Sequence, residues 1–95
     1  LRGLNGVTVF HAPSGSVSNN WLVTLLLDSA QAADRDVLLT ALNDAGIMTR
    51  PVWTLMHHLP MYCDHPRADL SQAEDLESRV LNIPSSAYLA SVGLA

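Results

Sequence analysis

Lysine is absent from the 95-residue chain, and all five of its basic residues are arginines. No Schiff base to a lysine amine and no lysine general base can arise within it. Nine acidic residues against five basic give a formal net charge of −4, which leaves no electrostatic footprint for nucleic acid or an anionic membrane. Cysteine occurs once, at Cys63, so an intrachain disulfide is excluded and a cytoplasmic location is expected. Long apolar runs are missing as well. The longest, Trp21 to Leu27 with Thr24 inside it, falls far below the roughly 20 residues of a membrane-spanning helix. No signal-peptide pattern opens the chain, and it contains no P-loop, dinucleotide fingerprint or serine nucleophile elbow.

What is present is enough for one modest core. The chain is 48% apolar and 15% charged, with a mean hydropathy of +0.19, well outside the disordered class. A domain of this size buries roughly 60–70% of its unfolded surface. The first residue is Leu1 rather than methionine, and Leu1-Arg2-Gly3-Leu4-Asn5-Gly6 reads as the exit of an earlier element into a turn. A piece of something longer is therefore expected.

Turn residues and periodicity divide the chain. Asn5-Gly6 signals a turn before a short strand, Val7 to Phe10. Ala12 to Asn20 is a loop by composition, and Trp21 to Leu27 has the length and flanks of a central strand. Asp34 to Ala45 predicts a helix, with Asp34 as N-cap, Gly46 at C′ and a stripe of Val37, Leu38, Ala41, Leu42 and Ala45. Ile47 to Trp53 reads as a strand whose pairing is limited by Pro51. Ser71-Gln72-Ala73-Glu74 matches a capping box opening a second helix to about Val80, with Ala73, Leu76 and Val80 inward. Leu81-Asn82-Ile83 before Pro84 is a last strand. The order predicts a two-layer α+β domain, a short, mainly antiparallel sheet carrying two main helices.

Chemistry concentrates in the loop before Trp21 and in the stretch from Arg50 to His65. Arg50 offers a two-donor fork for phosphate or carboxylate, or a surface ion pair. Trp53 either stacks on a ring or fills the core. Asn19 and Asn20 either hydrogen-bond a ligand or end a turn. His57, His58, Cys63 and His65 are zinc-type ligands, but their spacing matches no structural zinc site, and no metal is expected. His57 or His58 could serve as an acid–base group or as a satisfied structural histidine. Cys63 lacks a basic neighbour to stabilise its thiolate. Glu74, Asp75 and Glu77 read as a solvated helix face.

Ala45-Gly46-Ile47-Met48-Thr49-Arg50-Pro51-Val52-Trp53, running to Met56-His57-His58-Leu59-Pro60-Met61-Tyr62, resembles the small C-terminal domain of DegT/DnrJ/StrS-type aminotransferases. These are fold-type I, pyridoxal-phosphate-dependent enzymes that act on keto groups of nucleotide-linked sugars. Ser18-Asn19-Asn20-Trp21-Leu22, the arginine-led helix from Arg35 to Ile47, and Ala73-Glu74 leading to Val80-Leu81-Asn82-Ile83-Pro84-Ser85-Ser86 agree in order and distance. The Thr49-Arg50-Pro51-Val52-Trp53 form with Met56-His57 looks closest to the branch aminating UDP-linked 4-keto-6-deoxy-N-acetyl sugars, as in legionaminic acid-type surface-polysaccharide pathways.

The resemblance implies that pyridoxal phosphate and its lysine belong to a large domain in cis, which has no counterpart in this chain. No cofactor and no catalytic residue are expected in the 95 residues, which alone should be inactive. Arg50, Trp53 and His57 would face the substrate, with His58 as the alternative to His57. Asn19 and Asn20 would lie where the chain re-enters from the large domain. The implied partners are a nucleotide sugar, the large domain and, for the parent enzyme, a second copy as a homodimer. An uncovered docking face would make the isolated chain self-associate. The alternative is a free-standing ligand- or protein-binding α+β domain without catalysis.

Overall fold

The computed structural model describes Leu1 and residues 3–86, so Arg2 and the tail after Ser86 lie outside the described residues. The elements run β1 (Val7–Val9), β2 (Val23–Leu27), α1 (Arg35–Asp44), β3 (Arg50–Pro51), α2 (Ser71–Arg79) and β4 (Val80–Ile83). Single 3₁₀ segments, Ser29–Asp34 and Met56–His58, precede α1 and follow β3. The sheet order is β1-β2-β4-β3, with every neighbouring pair antiparallel. The architecture is the expected two-layer α+β arrangement.

Leu25 of β2 stands opposite Leu81 of β4, and with Leu27 they form one buried face. Leu81 is 0% exposed, so its truncation to alanine should cost about 2–5 kcal/mol. Helix α1 lies against β4, and α2 against β2. Thr24, Leu26, Val80 and Asn82 point to the opposite face, because side chains alternate along a strand.

The expected strand from Trp21 starts only at Val23, and the register explains why. Val23 pairs with Ile83, which would place Leu22 opposite Pro84, a residue with no N–H for the ladder. One step further, the Ser85 hydroxyl replaces the missing backbone bond and donates to the Trp21 carbonyl at 2.8 Å. The expected strand Ile47 to Trp53 likewise shrinks to Arg50–Pro51, paired with Asn82 and Leu81 along the sheet edge.

Asp34 stands at the N-cap position, as expected, but does not cap the helix. Its backbone is helical (φ −87°, ψ −8°) and its side chain makes no capping bond, because the 3₁₀ segment winds straight into α1. The other end behaves as expected: Gly46 has φ +81°, Ile47 N–H reaches the Leu42 carbonyl and Gly46 N–H the Asn43 carbonyl, both at 2.9 Å. Those two bonds make a complete Schellman turn. Of the expected inward stripe only Leu38 and Leu42 are half-buried, while Val37 is 70% exposed and Ala41 and Ala45 are exposed.

The capping box at Ser71 does not form either. Leu70 is the N-cap residue, and Asp69 takes the Ser71 N–H and hydroxyl, each at 3.1 Å. Helix α2 ends at Arg79, so Val80 belongs to the strand that follows without a break. Arg79 anchors that junction by donating to the Leu27 carbonyl at 2.7 Å and pairing with Asp75 at 2.7 Å. None of the helices among the described residues is long and apolar enough to cross a membrane.

Candidate functional site

Asn43 fixes the approach to Arg50. Its amide donates to the Leu39 carbonyl at 2.8 Å and to the Thr49 carbonyl at 2.9 Å, while its Oδ1 accepts the Thr49 N–H at 3.2 Å. Thr49 is 1% exposed, so this splice ties the buried entry to β3 to the exposed Asn43 at the end of α1. Arg50 then emerges at the sheet edge with its side chain exposed. It spends one donor on the Thr49 carbonyl at 3.2 Å, and no carboxylate among the described residues lies within ion-pair distance.

Arg50 opens into a groove of about 490 Å³ that it shares with Trp53, Trp21 and Asn82. The two indoles are 74% and 69% exposed, far from the core role open to Trp53 on sequence grounds. Leu22, Pro51, Val52 and Thr54 complete the lining, which holds one cation and no acid. Such a surface suits an anionic group next to a ring: the guanidinium supplies paired donors, and an indole face supplies stacking area.

The other expected site residues fall elsewhere. Asn19 accepts the Trp21 N–H at 3.1 Å, so it shapes the turn that presents this indole. Asn20 has φ +54°, a left-handed conformation that asparagine tolerates, and lines a second groove of about 670 Å³ with Phe10, His11 and Ser16. His57 and His58 lie outside the Arg50 groove's lining, against α2. His57 is buried, with Nε2 2.8 Å from Glu74 Oε1, and His58 Nδ1 is 3.3 Å from Glu77 Oε2.

Glu74 and Glu77 therefore do more than solvate a helix face. Glu77 Oε1 also accepts the Leu55 N–H at 3.3 Å, so both carboxylates clasp the segment after Trp53 onto α2. The hydrogen bond from His57 holds the Glu74 carboxyl below its ordinary 4.5, against a smaller upward push from partial burial. The ligand atoms of His57, His58 and Glu74 lie within 4.8 Å of one another, whereas Cys63 bonds the Pro60 carbonyl and His65 packs edge-on against Tyr62.

Sequence reasoning missed Trp21 and Asn82 as groove residues. Trp21 read as strand interior, and only the Pro84 register break puts it at the surface. Asn82 carried a usable signal, a lone amide inside an apolar strand.

The sequence profile of the DegT/DnrJ/EryC1/StrS aminotransferase family matches residues 1–92. GDP-perosamine synthase of Escherichia coli O157:H7 is 35% identical over 89 residues, covering 88% of this chain and 22% of that protein. The GDP-perosamine synthase of Caulobacter vibrioides is 35% identical over 69 residues, covering 73% and 19%. Among solved structures, DesI in the presence of its TDP-sugar product superposes with a TM-score of 0.78 at 31% identity, over 90% of this chain and 22% of that one. Helicobacter pylori PseC, an aminotransferase involved in pseudoaminic acid biosynthesis, superposes at a TM-score of 0.76 and 20% identity, over 87% and 23%, a likeness of fold alone. The chain thus spans about a fifth of the length of the proteins it matches.

Proposed function

The chain belongs to the DegT/DnrJ/EryC1/StrS aminotransferase family, and from this we propose that it is the small C-terminal domain of a longer cytoplasmic, homodimeric aminotransferase. The enzyme would move an amino group onto the keto carbon of a nucleotide-linked sugar, and this domain would close over the site and hold part of the substrate. The observation that carries the reading is the Arg50 groove, in which an arginine with no carboxylate partner among the described residues shares the lining with two exposed indoles. Arg50 would fork onto the diphosphate, and Trp53 would cover the adjoining ring.

The residues of this chain do not fit pyridoxal phosphate. There is no lysine to tether it, and the groove has no carboxylate to face a pyridine nitrogen. The cofactor, when bound, supplies the electron sink for amino transfer, and in this reading it sits in the large domain. His57 and His58 take a supporting role, holding the segment after Trp53 against α2 through Glu74 and Glu77. The finer assignment, a UDP-linked 4-keto-6-deoxy-N-acetyl sugar for a surface polysaccharide, rests on the Thr49 to Trp53 string and Met56-His57. The named relatives carry GDP and TDP sugars, so a panel of all three nucleotides separates the possibilities.

The deciding observation is the reading frame upstream of Leu1. A lysine-bearing large domain there, in a protein that absorbs as a pyridoxal Schiff base near neutral pH, supports the reading. An upstream frame without such a domain refutes it.

A further inference from the structure

Thr24, Asn82 and Arg50 form one row across three strands. Thr24 pairs with Asn82 from β2, and Arg50 pairs with Asn82 from β3, so all three side chains leave the same face of the sheet. Directly opposed residues in antiparallel strands have Cβ atoms about 4.5–5.5 Å apart. Asn82 is 7% exposed, yet it lines the groove beside Arg50.

The Thr24 hydroxyl donates to Asn82 Oδ1 at 2.8 Å. In this arrangement Oδ1 is turned toward Thr24. With Oδ1 engaged, the amino group is left as a pair of donors, and among the described residues Nδ2 donates to nothing. The amino group is not sealed in the interior: it opens at the groove, on a strand whose other members are Val80, Leu81 and Ile83.

We propose that Asn82 is a second anion donor of the groove, its amino group directed with Arg50 at one diphosphate, and that Thr24 is the positioning residue that orients it. The assignment rests on the groove reading above. It adds a ligand contact from the sheet face itself, where the sequence offered only a strand residue. The ligand class is a phosphate oxygen rather than a sugar hydroxyl, because the guanidinium brings a full positive charge and a paired donor fork, and the amide adds a further donor beside it.

The test is a titration of the ¹⁵N-labelled 95-residue chain with inorganic pyrophosphate, followed by the side-chain resonances of Asn82 Nδ2 and Arg50 Nε. Both are expected to move together along one binding curve. Thr24→Val, which keeps the shape and β-branching but removes the hydroxyl, should weaken binding about 3- to 10-fold, while Thr24→Ser should stay within about 2-fold of wild type; tenfold corresponds to about 1.4 kcal/mol. Should Thr24→Val lose its dispersed spectrum, Asn82→Asp serves instead. It retains size and an acceptor for Thr24, and should abolish binding. Arg50 shifting while Asn82 stays still, or undiminished binding by Thr24→Val or Asn82→Asp, overturns the proposal and leaves the groove reading standing. Asn82 responding to N-acetylglucosamine but not to pyrophosphate overturns the anion assignment. No shift at either residue removes the groove reading and this proposal together.

Discussion

Replacing Asn43 with alanine should unfasten the whole approach to Arg50. In the native chain the Asn43 side chain makes three hydrogen bonds, two of them to the backbone of Thr49, which is 1% exposed. After truncation, the Thr49 carbonyl still accepts from Arg50 Nη1 at 3.2 Å. The Thr49 N–H has no such substitute and is stranded in the interior, at about 1–3 kcal/mol, while the lost amide–carbonyl bond adds about 0.5–1.5 kcal/mol. The sum is roughly 2–4 kcal/mol, a large share of the about 5–10 kcal/mol available to a chain of this size. A shift of that size lowers the melting temperature by about 10–25 °C. Thermal and urea unfolding followed by circular dichroism measure it. Amide exchange at Asn82, the partner of Arg50 across β3 and β4, shows whether the edge pairing opens first. Thr40→Ala is the control: its hydroxyl bonds only the exposed Asp36 carbonyl at 3.0 Å and should cost less than about 0.5 kcal/mol. An Asn43→Ala protein within about 0.5 kcal/mol of wild type would refute the splice.

Acidification should loosen the segment after Trp53. The hydrogen bond from His57 lowers the folded-state value of Glu74, so its stabilising contribution is fully present above the ordinary 4.5 and is lost as pH falls through the lower folded value. Asp75, lowered by its bond from Arg79, adds a contribution with the same sign below its ordinary 3.8. Glu74→Gln should flatten the acid limb of a stability–pH curve, and an unchanged limb would count against the clasp. Gly46→Ala should destabilise the chain by about 1 kcal/mol in urea unfolding. A Cβ there would meet nothing within 4 Å, so the cost is that of holding alanine at φ +81° in the Schellman turn. Light scattering on the 95-residue chain should show a dimer or larger species, because Val37, Met48, Met56 and Met61 are all more than 60% exposed. A strictly monomeric profile would argue against an uncovered docking face.

The elements were legible in the sequence because they rest on local rules. Strand periodicity, the Gly46 stop and the order of strands and helices need no knowledge of distant neighbours. What failed depended on partners. The Asp34 cap was pre-empted by a 3₁₀ segment that already supplies the first turn's carbonyls. The Ser71 box was displaced by Asp69, which left Glu74 to meet His57 from a different element. The inner face of α1 was ambiguous because two adjacent apolar stripes fit its sequence and only the sheet chooses between them.

The site was legible in its loop and opaque in its sheet. Arg50 and Trp53 stood out because they flank a strand-limiting proline in a string with a family resemblance. Asn43 looked like an ordinary polar residue late in a helix, and its role depends on where Thr49 returns. Trp21 reaches the groove only because Pro84 stops the ladder two residues short and Ser85 holds its carbonyl instead.

On the proposed function, this chain holds the nucleotide part of a sugar substrate for chemistry performed elsewhere in the same enzyme. The most direct measurement is steady-state amino transfer to a UDP-linked 4-keto sugar by the full-length protein, comparing wild type with Arg50→Gln. Loss of the guanidinium fork should raise KM about 10-fold or more, with the pyridoxal absorbance unchanged. An unaltered KM, or a variant that loses the cofactor spectrum while its substrate affinity persists, would contradict the account.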